Sequence, residues 1–233
     1  MAKTDVRTAM ADAMSIRGRL TAPEIHIYPF SRLIHAPAAR WEKLLKALEE
    51  KENIVYLYYQ PAREAIVKLT ASSGKRRDSI FVEMQARAAA VVHSPSQNPV
   101  RDNTKCFETF EETFLPKISS FVQSLIRRKH FGTSFGGVIL KGLPHMEVID
   151  QKGKSRLVYL YPSNWSDKEL DAYLELLTII IEAEFEAEAS DLWCMDLRRK
   201  QTVKRSKSKV RTRKACNDAA QHFVRLRSLA EVD

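Results

Sequence analysis

Glycine is scarce in this sequence, with 7 of 233 residues, about 3% against a usual ~7%. Gly-rich phosphate cradles, collagen-like repeats and turn-dense β-sandwiches are therefore poor fits. Cysteine is scarcer still: Cys106, Cys194 and Cys216 stand far apart. Three scattered thiols cannot build a disulfide framework, and they point to a reducing compartment. No apolar run reaches the ~18 residues needed to cross a bilayer; the longest, around Leu174–Ile181, is bracketed by Glu175 and Glu182. The first twenty residues hold no uninterrupted apolar stretch and carry Asp5 and Asp12, which is not the pattern of a secretory signal. The expectation is an intracellular protein without a membrane role, cytoplasmic, nucleoid-associated in a prokaryote and nuclear in a eukaryote.

The common catalytic motifs are missing too. There is no G-x-x-x-x-G-K-[ST], no G-x-G-x-x-G, no G-x-S-x-G, no H-E-x-x-H and no C-x-x-C. No cysteine has a His or Cys at ligand spacing, so neither a metal nor a cofactor is expected. His26 in a strand pattern, His222 on a terminal helix and Cys194 between Trp193 and Met195 read as packing residues.

What the sequence has is charge in one place. The formal net charge is +9, from 38 Lys/Arg and 29 Asp/Glu. Residues 198–233 hold 12 of those basic residues and 3 of the acidic ones, so residues 1–197 carry 26 of each sign and are neutral. Within 198–214 ten of seventeen residues are cationic and none is acidic: Arg198, Arg199, Lys200, Lys204, Arg205, Lys207, Lys209, Arg211, Arg213 and Lys214. The preceding stretch, 167–196, has ten acidic residues and one lysine. Three readings of the basic stretch compete: a solvated charge run, an intramolecular clamp on the acidic run Glu182–Glu188, and a nucleic-acid contact surface. The last is preferred, because every Lys or Arg that meets a phosphate releases condensed counterion without needing precise geometry. The stretch has no aromatic residue to stack bases, so it supplies affinity rather than sequence readout.

Periodicity gives the scaffold. Thr4–Arg17 and Ala38–Lys51 read as helices, the second with Trp41, Leu44, Leu45 and Leu48 on one face. Glu24–Tyr28 reads as a strand stopped by Pro29, and the wholly apolar Ile54–Tyr59 as a strand in the middle of a sheet. Pro61 opens a helix over Ala62–Thr70, Ser72–Asp78 is a loop, and Ser79–Val92 is taken as helix. Residues 93–103 have linker composition. Phe107, Phe110, Phe114, Ile118, Phe121 and Leu125 then form a helical stripe over Thr104–Lys129, kinked or split at Pro116 and ending in Arg127, Arg128 and Lys129. Val138–Leu140, Met146–Ile149 and Arg156–Tyr161 read as antiparallel strands. A capping box at Ser166–Glu169 launches a helix over Asp167–Glu188, followed by a strand at Asp191–Leu197 and a helix over about Ala215–Leu229.

This order predicts an α+β or mixed α/β protein: one helix-packed, mainly antiparallel sheet with long amphipathic helices and a basic C-terminal segment. Residues 1–197 form the globular body, with 93–103 as a candidate lobe boundary, and 198–233 the basic segment and its helix. The leading function is a nucleic-acid-binding regulatory or accessory protein, DNA rather than RNA, gripping phosphates non-specifically through the ten cations named above. Lys75, Arg76, Arg77, Arg127, Arg128 and Lys129 are secondary contacts. The alternative is an assembly subunit whose acidic helix 167–188 pairs with the basic stretch of a protein partner or a second copy. A third reading, and the sole enzymatic one, is a Mg²⁺-dependent nuclease using Asp150, Lys152, Asp191 and Asp196. Asp150-Gln151-Lys152 resembles the D-x-K of restriction-endonuclease-like cores, but it falls at a predicted turn and precedes Asp191. Asp191 and Asp196, five apart on a strand, also face opposite ways.

Overall fold

Strands and helices follow one another as the hydrophobic period changes along the chain. The computed structural model describes residues 22–41, 58–91, 95–125, 132–161, 166–185, 191–204 and 210–230. After β1 (Glu24–His26) come α1 (Ile27–Leu33), α2 (Gln60–Ala71), α3 (Arg77–Ala89) and α4 (Pro99–Thr113). Five strands follow: β2 (Ile118–Ser124), β3 (Gly132–Phe135), β4 (Val138–Lys141), β5 (Met146–Asp150) and β6 (Ser155–Tyr161). Then come α5 (Asp167–Glu184), β7 (Leu192–Asp196), β8 (Gln201–Lys204) and α6 (Val210–Ala230). The class is mixed α+β, as expected, but the strands divide between two sheets.

The larger sheet has the order β2-β5-β6-β7-β8 and is antiparallel except where β6 lies parallel to β7. Parallel neighbours need a crossover connection, and α5 lies in it. Along β6, Leu157, Tyr159 and Tyr161 belong to one core while Val158 and Leu160 belong to the other. The same alternation sends Leu192 and Cys194 of β7 one way, Trp193 and Met195 the other. Helices cover both faces of this pair: α1, α5 and α6 on one side, α2, α3 and α4 on the other. That is why both strands are apolar at nearly every position, since a strand buried on two faces has no solvent side.

The smaller sheet, β1-β4-β3, packs with the first core. Its β3–β4 hairpin turns on Gly136 and Gly137, at φ of 56° and 89°. A two-residue hairpin with both central residues at positive φ selects glycine. Helix α5 sits between the larger sheet, α1, α6 and this smaller sheet. Leu176, Leu177, Ile180 and Ile181 are fully buried around its circumference, each contributing roughly 1.5–3 kcal/mol. Its start is the predicted capping box: Ser166 Oγ accepts from the Glu169 backbone N–H, and Glu169 accepts from Ser166.

Several expectations are corrected. The helix over Thr104–Lys129 is instead α4, a short 3₁₀ turn at Leu115–Lys117, and strand β2. Pro116 lacks the N–H that would continue the helix, and Ile118–Ser124 pairs with β5 through two register irregularities. Phe107, Phe110 and Phe114 are buried as the stripe predicts, while Ile118 and Phe121 reach the same core from a strand. Pro29 does not stop a strand; it lies in the first turn of α1, where its missing N–H would have no partner anyway. Tyr58 and Tyr59 are not strand residues but lead into α2, which has Pro61 in its first turn. Helix α4 begins at Pro99, inside the presumed linker, capped by the Asn98 side chain. The expectations for Thr4–Arg17, residues 42–51, residues 54–57 and Arg127–Lys129 lie outside the described residues.

Candidate functional site

The stretch 198–214 begins at a turn built by Asp196. This carboxylate is buried at the end of β7, and its Oδ1 accepts the backbone N–H groups of Arg198 and Arg199, each at 3.0 Å. Lys200 takes a left-handed conformation, φ 55°, and β8 returns antiparallel to β7. Arg205, Lys207 and Lys209 lie outside the described residues, and for Lys204 only the backbone, in β8, is described. Helix α6 then opens with Arg211, Arg213 and Lys214 and no acidic residue in its first turn. Cations at a helix N-terminus add to the positive end of the macrodipole, so this end of α6 combines two sources of positive potential.

Part of this charge is already met by carboxylates of the same chain. Arg199 Nη1 donates to Asp167 at 2.8 Å, and its Nε lies 3.8 Å from Asp196. Arg213 reaches Glu182 at 3.3 Å, Thr212 donates to Asp171 at 3.3 Å, and Lys200 approaches Glu112 at 3.5 Å. Arg198, Arg211 and Lys214 are exposed and form no ion pair with another described residue. Of the secondary patch, Lys75 and Arg76 are exposed. Arg77 is used structurally: it pairs with Glu111 at 2.9 Å and its guanidinium lies over the Phe81 and Phe107 rings. Arg127, Arg128 and Lys129 are outside the described residues.

The carboxylates considered for a nuclease have other partners. Asp150 closes the β5–β6 turn, its Oδ1 accepting the backbone N–H groups of Lys152 at 2.8 Å and Lys154 at 3.0 Å. Its other oxygen accepts from Arg156 at 3.0 Å. The Lys154 N–H first, then Arg156 and the Lys152 N–H, hold this carboxyl below its ordinary pKa. Arg156 also donates to Asp191 at 3.1 Å and stands over the Trp193 ring. The structure thus brings Asp150 and Asp191 together on one guanidinium, leaves Lys152 exposed, and places Asp196 at the β7–β8 turn. Among the described residues no three His, Cys, Asp or Glu side chains are grouped to hold a metal ion.

No family model matches this chain, and neither does any curated protein or solved structure. What the chain does is therefore carried by its own residues.

Sequence reasoning missed one polar cluster, around the carboxyl half of β6. His145 is buried, stacks on Tyr159 with ring centroids 4.5 Å apart, and accepts the Leu160 N–H on Nδ1. Burial, and then the charge of buried Arg63, push its pKa well below the usual histidine value. Tyr173 on α5 hydrogen-bonds Tyr159, and burial raises both phenols, Tyr159 to about 12. Burial also pushes the Cys106 thiol up to about 12, which keeps it protonated and unreactive at neutral pH. Nothing in the local sequence marks Arg63 or His145, because their burial is made by elements distant in the chain. Among the described residues, no helix is long and apolar enough to cross a membrane.

Proposed function

We propose that the chain binds nucleic acid, DNA in preference to RNA, as a regulatory or accessory protein that grips phosphates through residues 198–214. The observation that supports this reading is the confinement of the whole +9 excess to the last 36 residues beside a neutral body. Exposed Arg198, Arg211 and Lys214 add to it. Five or six phosphates neutralised by these cations give a log–log salt slope of about −5. With no aromatic residue in the stretch, the contacts position the protein on the backbone and leave base edges unread.

The reading is tested by anisotropy of a labelled 20-base-pair duplex across a salt series, with the full chain. The comparison variant replaces Lys204, Arg205, Lys207, Lys209, Arg211 and Arg213 by glutamine, with circular dichroism confirming the fold. Affinity should fall alike on unrelated sequences, and the salt slope should flatten by about one for each phosphate that is no longer neutralised. Unchanged affinity in the variant overturns the reading.

A further inference from the structure

Resting on that reading, we infer that α5 carries an internal competitor for nucleic acid: its carboxylates occupy cations of the 198–214 stretch, and phosphates must displace them to bind. The stretch touches α5 near both ends of the helix. Arg199 holds Asp167, the first residue of α5, at 2.8 Å, and Arg213 holds Glu182, in the last turn, at 3.3 Å. Those two carboxylates are fifteen residues apart, about 22 Å along a helix axis. Between them Asp171 accepts from Thr212, so the contact involves α6 as well as the β7–β8 turn. Away from α5, Glu112 on α4 faces Lys200.

The chemistry makes this contact exchangeable. A carboxylate and a phosphate offer the same acceptor, an anionic oxygen, to a guanidinium. Arg199 is 42% exposed and Arg213 41%, so both pairs sit in water and hold their partners weakly. A polyanion adds what a carboxylate of the same chain does not, the release of its condensed counterions. The bound and unbound states then differ in which anion holds Arg199 and Arg213, and α5 sets the threshold. Salt weakens the internal pairs as well as the phosphate contacts, so the competitor also blunts the salt dependence of binding.

The test compares the full chain with Asp167→Asn/Glu182→Gln, both substitutions keeping side-chain size at exposed positions. The control is Glu24→Gln/Glu83→Gln, which makes the same change in net charge at exposed carboxylates paired with Lys141 and Lys68. The probe is a labelled 20-base-pair duplex at 50–300 mM salt. The α5 variant should bind at least about fivefold tighter than wild type, with a steeper salt slope, while the control stays within about twofold because its carboxylates hold cations outside the stretch. Single variants should each give part of the gain, since the sites are too far apart to couple directly. An α5 variant that matches the control overturns the competitor and leaves phosphate binding standing. Absence of binding by wild type and variant alike, down to 50 mM salt, overturns both, whereas binding by the variant alone supports the competitor.

Discussion

The Leu160 backbone N–H donates to Nδ1 of His145 across 2.9 Å within the larger sheet. An imidazolium carries a proton on that nitrogen and cannot accept this bond, so the fold requires the neutral ring. Burial and the nearby Arg63 charge act in the same direction.

Stability should therefore fall in acid through this one histidine. The unfolded chain takes up its proton near pH 6.5, whereas the folded chain resists to well below that value. The contribution is complete above pH 6.5 and is lost, by up to about 1.4 kcal/mol per pH unit, as pH falls toward the folded pKa. Urea midpoints at pH 7.5, 6.0 and 5.0 check it against His145→Asn, whose neutral amide does not titrate. The gap between the two proteins should narrow in acid; a constant gap would refute the assignment.

Asn103 is the joint between α2 and α4. Fully buried, it accepts the Ala62 N–H at 2.9 Å and donates to the carbonyls of Tyr58 and Pro99 at 2.8 Å each. Asn103→Ala strands a helix N-terminal N–H and the Tyr58 carbonyl in the core, at a cost of about 3 kcal/mol. Chemical denaturation with an unchanged slope against denaturant is the check, and a loss under about 1 kcal/mol would show that water replaces the side chain.

Asp150 and Asp191 share Arg156 but should respond differently to removal. Asp191 is 38% exposed and makes an ordinary surface pair, so Asp191→Ala should shift stability by no more than about 1 kcal/mol. Asp150 also closes the β5–β6 turn through two backbone N–H groups, and Asp150→Ala should lower the melting temperature clearly more. Equal shifts in the two melting curves would contradict this division of roles.

The capping box of α5 is the simplest local test. Ser166→Ala removes the acceptor for the Glu169 N–H and should cost about 1 kcal/mol. Ser166→Asp, which restores an acceptor at the N-terminus, should recover most of it in the same thermal melts.

Where one local signal has one structural answer, the pattern was readable. The capping box starts α5, and the Gln151–Lys154 turn separates β5 from β6. The helix at Arg77–Ala89 follows from Glu83–Ala90, despite the strand-like Ile80–Val82. The stripe from Phe107 to Leu125 misled because a spacing of three and four residues also fits a helix that stops at Thr113 and a strand that begins at Ile118. Both bring aromatic side chains to one core, and only the pairing of β2 with β5 separates them.

Sequence alone therefore determined the α+β class, the excess of positive charge in residues 198–214, and the elements whose ends carry caps or turns. Those features arise from neighbours in the chain: propensity, capping and charge density. Tertiary structure decided which strands share a sheet, why Arg63 and His145 are buried, and that Arg156 joins Asp150 to Asp191. It also set Arg199 and Arg213 against Asp167 and Glu182. Each of these depends on contacts between residues far apart in sequence, and such contacts form only once the whole chain has chosen which faces to bury.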